Sequence, residues 1–171
     1  MLTRQMAPKP DAISNDRVIQ LRALLDNIRS AWNVGSIFRT ADGLGIRKLY
    51  LCGITPTPQN DSVRKTSLGA EETVAWEYSR NALETAIDLK NKGFALIALE
   101  QDEHAKTLSE FRTSEIDSQK SVLIVGNEVT GVDPELLNIC DQIIHIPMHG
   151  RKHSLNVEVA FGIAAYQLTA T

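Results

Sequence analysis

Three stretches of this chain are apolar almost without interruption: residues 94–99 (FALIAL), 121–125 (SVLIV) and 143–146 (IIHI). A strand with one face in water alternates apolar and polar residues. Continuous runs of this kind therefore belong to strands buried on both faces, which is what a parallel sheet covered by helices provides. The segments between them carry the helix signals that such a sheet needs.

The spacing predicts a first strand over residues 18–25 and a helix over 34–44, with Asn33 as its N-cap and Gly45 closing it. A second strand follows at 48–52 and a proline-containing loop at 54–60; residues 64–72 are ambiguous and 73–78 read as extended. A helix over 81–92 stops at Gly93, and 104–120 read as a polar connection with a helical turn near Leu108. Asp133-Pro134 is a helix start, with Asp as cap and Pro at the first helical position. The last helix is expected over 156–169. The expected fold class is α/β, a mostly parallel sheet with helices on both faces. Residues 1–16, with Pro8 and Pro10 and no periodicity, read as a flexible N-terminal tail; residues 17–171 read as one domain. There is no internal repeat.

The formal net charge is −3, so no global basic signature marks a nucleic-acid binder. Charge is unevenly placed, however. Residues 27–41, 43–60 and 142–157 contain no Asp or Glu but hold Arg29, Arg39, Arg47, Lys48, Arg151 and Lys152. A local field can be positive while the sum is negative. Scattered surface charge accounts for the same pattern equally well. Cys52 and Cys140 lack metal-ligand spacing and read as reduced, buried thiols; no metal site is expected. No apolar run reaches the roughly 20 residues a membrane span requires, and there is no signal-peptide h-region. The expected location is the cytoplasm.

Residues 126–131 have the glycine spacing of a phosphate loop after a strand, but Val132 and Asp133 stand where Lys and Ser/Thr are needed, and Glu128 would face the phosphates. Arg39 follows Asn33 by six residues on the first helix; alone, the pair reads as a cap and a surface arginine. His145 lies in an apolar strand and reads as a core histidine. Arg151, Lys152 and His153 precede a helix N-terminus, a natural anion site, though a solvated turn has the same composition.

Three segments in order, NVGSIFRTADGLG, LIVGNEVTGVDPELL and IPMHGRKHSLNVEVAFGIAAY, resemble the motifs of the SpoU/TrmH-type (SPOUT superfamily) RNA 2′-O-ribose methyltransferases. The resemblance implies a C-terminal deep trefoil knot, which periodicity does not predict and which the general rule against knotted chains opposes. It implies S-adenosyl-L-methionine as cofactor, with Leu99, Gly126, Ile146, Met148, Ser154 and Leu155 at the matching wall and loop positions. It implies methyl transfer to a ribose 2′-hydroxyl, with Arg39 as the catalytic residue and Asn33, Glu128, Ser154 and Asn156 completing the site. Guanidinium groups stay protonated in proteins, so the expected role of Arg39 is to stabilise a developing alkoxide. Asn33 and Glu128 are expected to hold it there, since a carboxylate matches the arginine fork. Arg29, Arg151 and Lys152 are the expected RNA contacts. The expected partners are RNA, tRNA ahead of rRNA because no large RNA-binding extension is present, and a second copy of the chain, given an apolar last helix with Val157, Val159, Ala160, Ile163, Ala164 and Tyr166 on more than one face. A knotted RNA- or cofactor-binding protein without turnover is the alternative.

Overall fold

The computed structural model describes residues 20–115 and 120–170. The tail expected at residues 1–16 and the start of the first strand at 18 and 19 lie outside the described residues. Seven strands, β1 (Gln20–Asp26), β2 (Lys48–Cys52), β3 (Ala75–Ser79), β4 (Ala95–Leu99), β5 (Lys106–Thr107), β6 (Lys120–Val125) and β7 (Gln142–His145), form one sheet in the order β3-β2-β1-β6-β4-β7-β5. Every neighbouring pair is parallel. Six helices return the chain: α1 (Ala31–Leu44), α2 (Asp61–Ser67), α3 (Ala70–Thr73), α4 (Ala82–Asn91), α5 (Pro134–Ile139) and α6 (Val157–Thr169).

Helices cover both faces of the sheet, as expected, and each face has its own core. Leu21, Ala23 and Leu25 of β1 point to the face covered by α1 and α6, where they meet Ile37, Phe38 and Phe161. Leu24 points to the other face, against Leu96, Val122, Ile124 and the buried side of α4 and α5. Burying each large aliphatic side chain contributes about 1.5–3 kcal/mol. The central strands therefore hold the sheet, and the edge strand β3 is left half-exposed.

Three differences from the sequence reading have local causes. The N-cap of α1 is Ser30, whose side chain accepts from the Asn33 N–H at 3.3 Å; Asn33 lies in the first turn, its side chain engaged elsewhere. Ser and Asn are comparable caps, so the motif alone does not separate them. Second, the ambiguous segment after residue 60 forms α2, capped by Asn60, and packs on α1 at Gly35. A Cβ there would collide with Thr66 and the Val63 carbonyl, so the close helix contact needs the glycine. Third, the polar connection contains the two-residue strand β5, too short for any periodicity to signal. The expected helical turn near Leu108 is present, the Glu110 and Phe111 N–H groups donating to the Thr107 carbonyl at 3.0 and 3.1 Å, and a 3₁₀ turn at Thr113–Glu115 follows it.

Candidate active site

In a parallel α/β sheet the loops at the carboxyl ends of the strands gather on one side. Here the loops after β1, β4, β6 and β7 surround a cavity of about 330 Å³. That volume lies at the lower end of small-molecule sites. Its walls are Leu99, Val125, Ile146, Met148, Leu155 and Ala160, and its polar lining comes from Asn33, Glu100, Gln101, Asn127, Glu128, Ser154 and Asn156.

Glu128 organises the rim. One carboxylate oxygen accepts the Arg29 N–H at 2.8 Å; the other accepts the Ser30 N–H at 3.0 Å and the Asn33 side-chain amide at 3.0 Å. Burial pushes this carboxyl up, but the hydrogen bonds from Arg29, Ser30, its own N–H and Asn33 together outweigh it and hold the group below the usual carboxylate value. Asn33 passes the connection on, its Oδ1 accepting from Asn156 Nδ2 at 3.3 Å. Asn156 in turn caps α6 by accepting the Glu158 N–H at 2.9 Å. One chain of hydrogen bonds thus ties the starts of α1 and α6 to the loop after β6.

That loop is shaped by backbone. A Cβ on Gly126 would overlap the backbone of Gly131 and Val132, so the strand exit and the loop's return can approach this closely only with glycine. Asn127 and Gly131 exchange backbone hydrogen bonds at 3.1 and 2.9 Å, and Gly131 sits at φ 74°. Glu100, just past β4, accepts the Val132 N–H at 2.8 Å and fixes the loop from the other side.

Every expected wall residue, Leu99, Gly126, Ile146, Met148, Ser154 and Leu155, lines the cavity, as do Asn33, Glu128 and Asn156. Arg39 does not. It is exposed and lies two turns down α1 from Trp32, so roughly 10 Å separates them along the axis. Glu128 is engaged by the Arg29 and Ser30 backbone just before α1 and by Asn33, and no ion pair joins it to Arg39 among the described residues; the expected Glu128–Arg39 fork is absent within one chain. Arg29, Arg151 and Lys152 are exposed around the rim and do not line the cavity. The expected core histidine His145 is instead half-buried and lines the cavity, and its buried Nδ1 has no hydrogen-bond partner among the described residues. Sequence reasoning missed Glu100, Gln101, Asn127 and Val129, although Asn127 and Val129 lie inside the second motif and the place of Glu100 and Gln101 just beyond β4 was a usable signal.

The described residues contain no cluster of metal-ligating side chains and no helix long and apolar enough to cross a membrane. Burial pushes the thiols of both Cys52 and Cys140 up to about 12, which leaves them inert.

A parallel sheet with a backbone-shaped pocket at its carboxyl edge, lined about equally by apolar and polar groups, is the architecture of a nucleotide-type ligand domain. The model of the SpoU rRNA methylase family matches residues 20–166, and the chain belongs to that family. It is 36% identical over 143 residues to the tRNA (guanosine(18)-2′-O)-methyltransferase of Aquifex aeolicus, covering 83% of this chain and 65% of the relative. It is 31% identical to the 23S rRNA (guanosine-2′-O-)-methyltransferase RlmB of Acinetobacter baylyi, covering 90% of this chain and 60% of the relative. The SpoU methyltransferase AviRb of Streptomyces viridochromogenes, solved in complex with AdoMet, superposes with a TM-score of 0.78 at 25% identity, over 91% of this chain and 58% of that one. The chain thus spans between 60% and 65% of the length of these two curated relatives.

Proposed function

We propose that this chain is an S-adenosylmethionine-dependent RNA methyltransferase that methylates a ribose 2′-hydroxyl of tRNA in the cytoplasm. The observation that carries the reading is the Glu128–Asn33–Asn156 hydrogen-bond chain, which closes the rim of the cavity with residues from all three family motifs. The 36% identity to a tRNA enzyme favours tRNA over the rRNA reading.

The cavity fits the cofactor. Its apolar walls at Leu99, Ile146, Met148 and Leu155 and the backbone of residues 126–131 suit a nucleoside, and no loop of cationic side chains is needed because there are no phosphates to hold. Bound there, the cofactor supplies an activated methyl group. The chain's own task is to align the acceptor oxygen and support its negative charge as the hydroxyl proton departs. Asn33 and Asn156 fix the rim against which the ribose rests. The reading includes the C-terminal knot that the family resemblance implies.

Arg39 performs the charge stabilisation from a second copy of the chain. α1 and α6 begin together at the Asn33–Asn156 contact and are still close at Thr40 and Gly162, where an added Cβ on the glycine would reach the Thr40 methyl, so they run side by side in one direction. Their outward face carries Arg39 next to an apolar stripe of Val159, Ile163 and Tyr166, which are 42%, 42% and 63% exposed. The stripe spacing i, i+4, i+7 makes one helix face. Covering it with the same face of a second copy removes apolar surface from water and brings Arg39 to the subunit contact; among the described residues no carboxylate of its own chain pairs with it. Tritium transfer from labelled cofactor to total RNA, followed by mapping of 2′-O-methyls, tests the reading. Label in RNA at the base or in protein rather than at a ribose would overturn it.

A further inference from the structure

The described part of the chain has an exposed tryptophan that no contact within one subunit explains. Trp32 is 58% exposed, on the first turn of α1, whereas Trp76 is packed against the core. The indole is the largest apolar side chain, and leaving it in water forgoes burial that a helix surface could have avoided with a polar residue.

Its position is specific. Trp32 is the chain neighbour of Asn33, whose side chain bonds both Glu128 and Asn156 at the cavity rim. Val129, 74% exposed and lining the same cavity, is the neighbour of Glu128. The two exposed apolar residues therefore each stand one residue from a partner of the same 3.0 Å hydrogen bond. Helical side chains lean toward the helix N-terminus, which here is the cavity end of α1. The display is rigid: Glu128 holds the backbone N–H groups of Arg29 and Ser30, and the Trp32 carbonyl accepts a hydrogen bond from Thr66 Oγ1 at 3.2 Å. Exposed cations stand close by: Arg29, Arg151 and Lys152 are exposed in segments 27–41 and 142–157 that contain no carboxylate, while the rim carboxylate of Glu128 is engaged by Arg29, Ser30 and Asn33.

We infer that Trp32 is a stacking platform for an unpaired nucleobase next to the target ribose. The inference rests on the proposed RNA reaction and names how its substrate is gripped. Unstacked bases are held on aromatic faces, sequence-tolerantly, while basic side chains track the phosphates. A ribose can reach the rim cavity only if its nucleotide is out of a duplex, so the neighbouring base has lost its own stacking partner and Trp32 replaces it. The grip selects single-stranded or loop RNA over duplex.

The test uses Trp76→Phe protein, in which Trp32 is the reporting indole, and two probes: a single-stranded oligoadenylate decamer and an abasic ribose-phosphate decamer of equal charge. The decamer with bases quenches Trp32 emission and the abasic one does not. Trp32→Ala weakens binding of the oligoadenylate about tenfold or more and leaves abasic binding unchanged, and Trp32→Phe retains most of the affinity. Equal binding of both probes by parent and Trp32→Ala overturns the inference. So does a Trp32→Ala protein that loses its dimer but keeps its RNA affinity, since the residue would then belong to the subunit contact. Methylation of total RNA by the parent is measured alongside: if it proceeds normally while Trp32→Ala is indistinguishable, only the stacking role fails; if the parent neither binds nor methylates RNA, the underlying reaction fails with it.

Discussion

Glu128 accepts a hydrogen bond from the side chain of Asn33 at 3.0 Å, although 95 residues of chain separate them. With its two backbone bonds to Arg29 and Ser30, Glu128 acts as a clamp on the first turn of α1 rather than as a holder for Arg39. A carboxylate at a helix N-terminus is favourable in its own right, because it meets the positive end of the helix dipole.

The clamp has a pH signature. The folded-state value of Glu128 is depressed. Its stabilisation is therefore present above the unfolded carboxyl value of about 4.3 and is lost as pH falls through the lower folded value. Thermal melts of the parent and Glu128→Gln should differ most near neutrality, and the difference should close below about pH 4. A gap that persists unchanged in acid would mean the charge is irrelevant.

Asp26 behaves in the opposite sense. It is 3% exposed, and accepts from the Asp133 N–H at 3.2 Å and from Asn27 at 2.8 Å. Burial, aided by the charge of Asp133, outweighs those two hydrogen bonds and raises its carboxyl above the ordinary value. The folded state then favours the protonated acid more than the unfolded chain does. This stabilisation is complete below the unfolded value of about 3.9 and is lost as pH rises through the raised folded value. Asp26→Asn should gain stability relative to the parent on going from about pH 4 to about pH 8, read from paired denaturant titrations.

Gly126→Ala should damage the cavity more than the fold. The added methyl meets backbone at Gly131 and Val132, which cannot rotate away. A cost of about 1–3 kcal/mol is the usual scale for such overpacking. S-adenosylmethionine should raise the melting temperature of the parent and fail to raise that of the variant. An equal shift in both would show that the ligand does not use this loop.

Arg39→Ala should leave melting temperature and cofactor affinity nearly unchanged and cut methyl transfer about a hundredfold or more. Arg39→Lys should also be poor, because an ammonium cannot reproduce the planar fork. If Arg39 works across the dimer, mixing Arg39→Ala with Glu128→Ala chains should restore part of the activity that neither has alone. No recovery after subunit exchange would place both residues in the same subunit's site.

The parallel sheet was legible because burial on both faces removes alternation from β4 and β6, and that pattern needs no partner to be read. The walls of the cavity were legible as well, since Gly126, Ile146 and Leu155 lie in motifs with a recognisable order. Contacts between motifs were not. Whether Glu128 faces Arg39 or the backbone of Arg29 depends on how a strand exit and a helix start meet in space, and both are chemically reasonable for a carboxylate. The two-residue β5 and the α2 helix were missed for a related reason: one is too short for a period, and the other is held by packing on Gly35 as much as by its own sequence.

The rim is stitched by bonds that span 95 and 123 residues. Contacts that far apart are made late and slowly in folding, because the loop entropy must be spent before the contact rewards it. No partly folded form that lacks either the early or the late segment owns a rim. Cofactor affinity in this chain is consequently a readout of completed folding, and ligand added during refolding should trap the finished chain without hastening its arrival.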